Sequence, residues 1–289
     1  MQITAPNDDS LINIVALLSP ESSKTSLRSW IKEGRIFVDD VPAKRADQPV
    51  TKNQVVSLGT RKKFADPNKK LKILYEDRHL VAIDKPEGLL SVATAFQKET
   101  TAHALVKAHY APKKVYVIHR IDQDTSGVML FGLSEEAYEG LKILFEKHDI
   151  ERSYCAIVEG KLTTPQGKWS SYLYEDPAYR VHSTDDPEKG KIAITNFSVD
   201  ATSQYFSRLT LKLETGRKNQ IRVHCQDAGH SIVGDKKYGA VSDPIKRLCL
   251  HAASLGFIHP VTGKKMHFTS PLPEGFYRLV PRKQKEKNA

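Results

Sequence analysis

His119-Arg120-Ile121-Asp122-Gln123-Asp124-Thr125-Ser126-Gly127 is the stretch on which the fold turns. Val115-Tyr116-Val117-Ile118 precedes it and Val128-Met129-Leu130-Phe131 follows it. Both flanks are apolar, β-branched or aromatic runs, with the length and make-up of short buried strands. A connection buried between such strands is expected to be bland, yet this one carries a histidine, an arginine, two carboxylates and two hydroxyls. Burying so many polar groups costs free energy unless each is paired or used. The loop therefore reads as an active site, and the rest of the chain as what presents a substrate to it.

Working outward, two more stretches set polar residues inside apolar, strand-like sequence. One is Arg152-Ser153-Tyr154-Cys155-Ala156-Ile157-Val158-Glu159-Gly160. The other runs from Glu214 through Thr215-Gly216-Arg217-Lys218-Asn219-Gln220-Ile221-Arg222-Val223-His224, and is followed by Gly229 to Gly239. Between them the pattern predicts strands at Leu80–Asp84, Ser153–Val158, Ile192–Val199 and Phe206–Leu213. Helices are predicted at Thr101–His109, at Ser134–His148 with Ser134 as its cap, and at Gln220–Asp227 before Gly229.

Nearer the N-terminus, Ser10–Leu18 and Lys24–Glu33 read as helices, the second capped by Ser22 or Ser23 and stopped by Gly34. Lys24, Arg28 and Lys32 recur every four residues along one face of that helix, and Arg35 extends the stripe. A β-like Arg35–Asp40 hairpin and a strand at Gln54–Leu58 follow. Thr60 to Lys70 is cationic and broken by Pro67, a linker composition. The division expected is 1–59 as a small domain, 60–70 as a basic linker, 71–280 as the main domain and 281–289 as a flexible basic tail.

The 289 residues carry a net charge of +10, which points to a polyanionic partner, nucleic acid before acidic membrane. Mean hydropathy is −0.44, with no apolar run long enough to span a bilayer and no signal-peptide profile at the N-terminus. Cys155, Cys225 and Cys249 are an odd number, lie in apolar contexts and lack metal-ligand spacing, so they are expected to be reduced core residues in a cytoplasmic protein.

Taken in order, these stretches resemble the RluA-type family of pseudouridine synthases. The family's His-Arg-Leu-Asp-x-x-Thr-Ser-Gly appears as His119 to Gly127, with Ile121 for Leu. Its Lys-x-Tyr-x-Ala-x-Val-x-Gly appears as Arg152 to Gly160. Its Thr-Gly-Arg-x-His-Gln-Ile-Arg-Val-His appears as Thr215 to His224, with Asn219 where His is usual, and its Gly-His-x-Ile-x-Gly-Asp-x-x-Tyr-Gly is Gly229 to Gly239. The likeness covers about residues 71–280. It implies an α+β fold, a mixed, mainly antiparallel sheet with flanking helices. Residues 1–59 resemble the small RNA-binding module named after ribosomal protein S-four, through Ser26 to Asp39.

The resemblance implies isomerisation of uridine to pseudouridine in RNA, ribosomal RNA of the large subunit first and transfer RNA second. No atoms are gained in that reaction, so no cofactor and no metal are expected. It needs an ionised carboxylate beside the sugar, a cation to keep it ionised, a flat surface for the loose base and a dry pocket. Asp122 is implied as the nucleophile, Arg222 as its ion-pair partner and Tyr154 as the stacking and proton-relaying group. Attack on the anomeric carbon, attack on the base and removal of a sugar proton are all open to Asp122. Asp124 reads as a cap for the loop or a partner of Arg120. RNA contacts are expected from His119, Arg120, Thr125, Arg217 and Lys218, and from Lys24, Arg28, Lys32 and Arg35 in the small module. The chain is expected to act as a monomer. A second reading, from another class, is a catalytically silent RNA-binding or ribosome-assembly factor of the same fold.

Overall fold

A computed structural model of the chain describes residues 2–32, 35–39, 41–43, 45–58, 71–93 and 101–282. Gly34, the whole of the linker 60–70 and the tail from 283 fall outside them, as does the side chain of Lys32. Internal contacts divide the chain into two units, Met1–Lys69 and Lys70–Ala289.

The first unit comprises β1 (Gln2–Thr4), β2 (Asp9–Ser10), α1 (Leu11–Leu18), α2 (Lys24–Lys32), β3 (Ile36–Val38), β4 (Val41–Pro42), β5 (Pro49–Val50) and β6 (Val55–Leu58). Leu11, Ile14 and Val15 of α1 pack with Leu27 and Ile31 of α2 and with Ile36, Val38 and Val56 of the sheet β1-β6-β3-β4. Ser23 caps α2, its hydroxyl accepting from Ser26 N–H at 3.2 Å. Lys24 and Arg28 stand exposed on α2, flanking the stripe on which Leu27 and Ile31 are buried. Arg35 is half-buried, its guanidinium 5.3 Å from the centre of the Trp30 ring.

In the second unit come β7 (Lys72–Glu76), β8 (Leu80–Lys85), α3 (Ala102–His109), β9 (Tyr116–Val117), β10 (Ser126–Gly132), α4 (Glu135–Glu146), β11 (Glu151–Glu159), β12 (Gln166–Glu175), β13 (Val181–Thr184), β14 (Lys191–Thr202), β15 (Phe206–Leu213), α5 (Gln220–Asp227), β16 (Leu250–Ile258), β17 (Lys265–Thr269) and α6 (Glu274–Leu279). Among the described residues its strands form one mixed sheet in the order β13-β12-β14-β15-β11-β16-β10-β8-β7, with β17 beside β16 and β9 beside β10. Every pairing is antiparallel except β10 with β16. The α+β architecture is the one the resemblance implies.

Two local features place the site. At Gly127 (φ +113°) a Cβ would fall 2.1 Å from Ala252 O, so the β10–β16 pairing there demands glycine. The register of β11 against β16 shifts between Ser153 and Tyr154, where β16 carries Ala253 as an extra residue, a bulge opposite Tyr154. The two runs flanking the opening loop are not alike. β10 is buried at every residue, whereas β9 is a half-buried two-residue strand paired only with Phe131 and Gly132. The expectation of two buried strands fails for β9, which lies off the main strand path and pairs on one side only. Ser134 and Thr101 cap α4 and α3, accepting from Ala137 and Ala104 N–H. The three cysteines are free and buried. No helix among the described residues is long and apolar enough to cross a membrane.

Candidate active site

Asp122 lies in the turn between β9 and β10, and the backbone on both sides of it is held. Ser91 Oγ donates to Ile121 O at 2.6 Å and accepts from Ile121 N–H at 3.3 Å. Lys85 Nζ donates to Gln123 O at 2.9 Å, Leu89 O at 2.7 Å and Pro86 O at 3.0 Å. Gln123 Nε2 donates to Gly88 O at 3.0 Å, and Thr125 N–H closes the turn on Asp122 O at 3.1 Å. The Lys85-Pro86-Glu87-Gly88 turn that ends β8 is thus the bed on which Asp122 rests. Burial pushes the Lys85 ammonium down to about 7, against the opposing pull of Asp124 and Asp122.

Arg222, 100 residues further along, reaches Asp122 from α5, with Nη1 3.4 Å from Oδ2. Its nearer partner is Asp235, gripped bidentately at 2.7 and 2.8 Å. The expected partner of Asp122 is thus shared with Asp235. The Asp235 side chain is 1% exposed and needs a full counter-charge, so it takes the fork and leaves Asp122 one longer contact. Burial pulls the Arg222 pKa down, but hydrogen bonds and charge from Asp235, helped by Asp122, leave it raised.

Asn219, at φ 54°, supplies the short contact to Asp122. Its amide is assigned with Nδ2 toward the carboxylate, because the reverse sets oxygen against oxygen. Nδ2 then donates to Asp122 Oδ2 at 2.7 Å, and Oδ1 accepts from Tyr238 OH at 2.9 Å. The Tyr238 oxygen in turn accepts from Val181 N–H at 3.2 Å. Every donor in this chain points toward Asp122.

The carboxylate opens onto a cleft of about 650 Å³. One wall is aromatic: Tyr154, then Arg152 with its guanidinium 5.7 Å from the Phe145 ring centre, then Phe145 stacked on His119 at 4.8 Å. Arg120, Lys142, Arg152, Arg217 and Arg222 line the cleft against only two carboxylates, Asp122 and Glu146. Burial pushes the Tyr154 phenol up to about 12, with Arg152 pulling it down and Asp122 pushing it further up, so it stays protonated at neutral pH.

Several expected contacts change on this geometry. His119 Nε2 accepts from Leu130 N–H at 3.0 Å, and burial, with Arg152 nearby, pushes its pKa down to about 3. It therefore packs the wall as a neutral ring and offers RNA no positive charge. Thr125, 2% exposed, lies in the cleft lining, and its N–H closes the Asp122 turn. Asp124 is exposed and makes no hydrogen bond among the described residues, so it neither caps the loop nor holds Arg120. Lys218 is paired with Glu175, and Arg217 Nε donates to Ile192 O at 3.0 Å. Nor is the cleft dry: the Asp122 side chain is 31% exposed, because it stands at the tip of a turn facing the opening. Asp235 and Tyr238 lie in the Gly229–Gly239 motif but were assigned no site role from sequence, and neither were Lys85 and Ser91. Among the described residues no cluster of three histidine, cysteine or acidic side chains could hold a metal ion.

A carboxylate held by an amide and a guanidinium lies beside an aromatic wall and under a basic rim, a setting that suits a nucleic acid base. The comparisons agree. Residues 79–227 match the model of the family described as RNA pseudouridylate synthase. A Bacillus subtilis protein named uncharacterized RNA pseudouridine synthase YhcT is 33% identical, over 90% of this chain and 88% of its own. The ribosomal large subunit pseudouridine synthase D of Pseudomonas aeruginosa is 31% identical, over 96% of this chain and 93% of its own. The solved structure of human RNA pseudouridylate synthase domain containing 1 superposes with a TM-score of 0.61 at 23% identity, over 72% of this chain and 86% of that one, a likeness of fold. The chain belongs to the RNA pseudouridylate synthase family, and it is an isomerase.

Proposed function

We propose that this protein converts uridine to pseudouridine in large-subunit ribosomal RNA, with Asp122 as the catalytic carboxylate. The observation that carries the reading is the convergence of Asn219, Arg222 and the 85–91 turn on that one side chain at the foot of a basic cleft. The choice of RNA rests on the names of relatives such as the one from Pseudomonas aeruginosa.

In the reaction the bond from ribose C1′ to base N1 breaks, the base turns, and C5 bonds to C1′. The proton on C5 leaves and N1 gains one, so the product is an isomer. An ionised Asp122 serves attack at C1′, attack at the base, or removal of a sugar proton. Tyr154 supplies a face for the loose base and a phenol that can pass a proton. The uridine must first leave its stack, at a cost of a few kcal/mol. Cations on the cleft rim and on α2 offset that cost through phosphate contacts that weaken with salt. Residues 1–59 act in this reading as the S-four-like RNA-binding module, and the monomer works in the cytoplasm.

Tritium release from unmodified large-subunit ribosomal RNA labelled at uridine C5 tests the proposal. Asp122→Asn is expected to lower the rate by at least ~1,000-fold while RNA affinity stays within about threefold of wild type. No release by wild-type protein sinks the activity on this RNA. A large loss of affinity in the variant makes Asp122 a structural residue instead.

A further inference from the structure

Beyond the catalytic cleft, three cations crowd the ring of Tyr238: Arg222 at 4.8 Å from its centre, Arg180 at 5.4 Å and Lys237 at 5.8 Å. Arg222 is neutralised by Asp235. Among the described residues, neither Arg180 nor Lys237 has a carboxylate within ion-pair distance. Arg180 Nε is buried without a hydrogen-bond partner, and Lys237 Nζ donates only to Tyr179 O at 3.1 Å. The Lys237 amine is pushed down by burial and then by Arg222, Lys218 and Arg180, with Asp122 opposing them. Like charges repel, and with Asp235 taken by Arg222 no carboxylate among the described residues pairs with Arg180 or Lys237. A side chain has no reason to hold Arg180 and Lys237 together here, whereas a phosphate group does.

We infer that Arg180 and Lys237, set over Tyr238, form a seat for one backbone phosphate of the RNA, adjoining the nucleotide held at Asp122. The proposal rests on the RNA-modifying function above. Adjacency follows from shared parts: Arg222 touches both the Tyr238 ring and Asp122, and the Tyr238 hydroxyl starts the hydrogen-bond chain that ends on Asp122. Tyr179, 72% exposed, stands beside the seat with Lys218 5.7 Å from its ring centre, leaving an aromatic face free for a neighbouring base or sugar.

The test uses the full-length chain as wild type, Lys237→Gln, the Arg180→Gln/Lys237→Gln pair, and Lys236→Gln as a neighbour whose charge is already paired with Asp243 at 3.1 Å. Unmodified large-subunit ribosomal RNA serves for both binding and turnover. Losing one phosphate contact is expected to flatten the plot of log Kd against log salt by about 0.7 to 0.9 per contact. Affinity in Lys237→Gln falls severalfold at low salt, the double variant falls further, and the saturating single-turnover rate stays within about threefold. Lys236→Gln leaves the slope as it was. An unchanged slope in Lys237→Gln, or an equal change in Lys236→Gln, overturns the seat. If inorganic phosphate at matched ionic strength competes with RNA for wild type but not for the double variant, the seat is confirmed as a phosphate site. Failure of the function reads differently: wild type then releases no tritium while the slopes still separate the variants. Wild-type protein that does not bind the RNA at all overturns both.

Discussion

At the scale of single residues, the side chain that decides what Asp122 can do is Asn219, not the expected guanidinium. A 2.7 Å contact from a neutral amide orients the carboxylate without adding a charge, while Arg222 at 3.4 Å supplies the charge from further off. Asn219 also sits at φ 54°, a conformation asparagine tolerates better than most residues. Asn219→Gly keeps that backbone without strain and deletes both hydrogen bonds. The saturating rate of tritium release is expected to fall by roughly 10- to 100-fold, with RNA affinity unchanged, because a misaimed group loses rate and not binding. A variant with wild-type rate shows that Arg222 alone places the carboxylate. Asp122, Tyr154 and Arg222 were legible as a set because all three fall at matching positions of one family pattern. Asp235 and Tyr238 lie in the Gly229–Gly239 motif of the same pattern, but their places against Arg222 come only from the fold.

At the scale of elements, the turn after β8 holds the site still. Lys85 is fully buried with its three donors matched to three carbonyls, one of them next to Asp122. Its folded pKa near 7 lies below the ordinary 10.5, so between those values the unfolded chain binds a proton that the folded chain does not. Stability from this group therefore rises with pH across that window and is lowest below 7. Lys85→Met has no such slope. The stability gap between wild type and variant, read from urea unfolding, is expected to widen by about 0.7 kcal/mol per pH unit at pH 7, steepening to about 1.4 kcal/mol per unit between pH 8 and 9. A gap that does not widen shows that the lysine titrates normally. Periodicity had marked β11, β14, β15, α3, α4 and α5 because one apolar face is plain in each. It did not mark β12, where Lys168, Ser170 and Ser171 interrupt the run and only Leu173 is buried. Nor did it mark β16 as a full strand, since His251 and Ser254 break an otherwise apolar stretch. Yet β16 joins β10 to β11, and so sets Asp122 beside Tyr154.

At the scale of the whole molecule, two units with separate cores divide two tasks that respond to different perturbations. In the proposed reading, rate belongs to Asp122 and its hydrogen-bond chain, short-range contacts that all lie within the second unit. Affinity for a polyanion belongs to charge, and the chain carries +10 spread over both units. Lys24 and Arg28 are exposed, one helical turn apart, on the flank of the α2 face that buries Leu27 and Ile31, and their ammonium and guanidinium groups are open to phosphates. Replacing both with Gln in the full-length chain removes two such contacts. The magnitude of the log Kd–log salt slope for ribosomal RNA is then expected to drop by about 1.4 to 1.8, while the saturating tritium-release rate does not move. Because the pair lies in a different unit from Lys237, the two slope changes should add when the variants are combined. A slope that stays at the wild-type value makes the α2 stripe a solvated face, and leaves the whole of RNA recognition to the second unit.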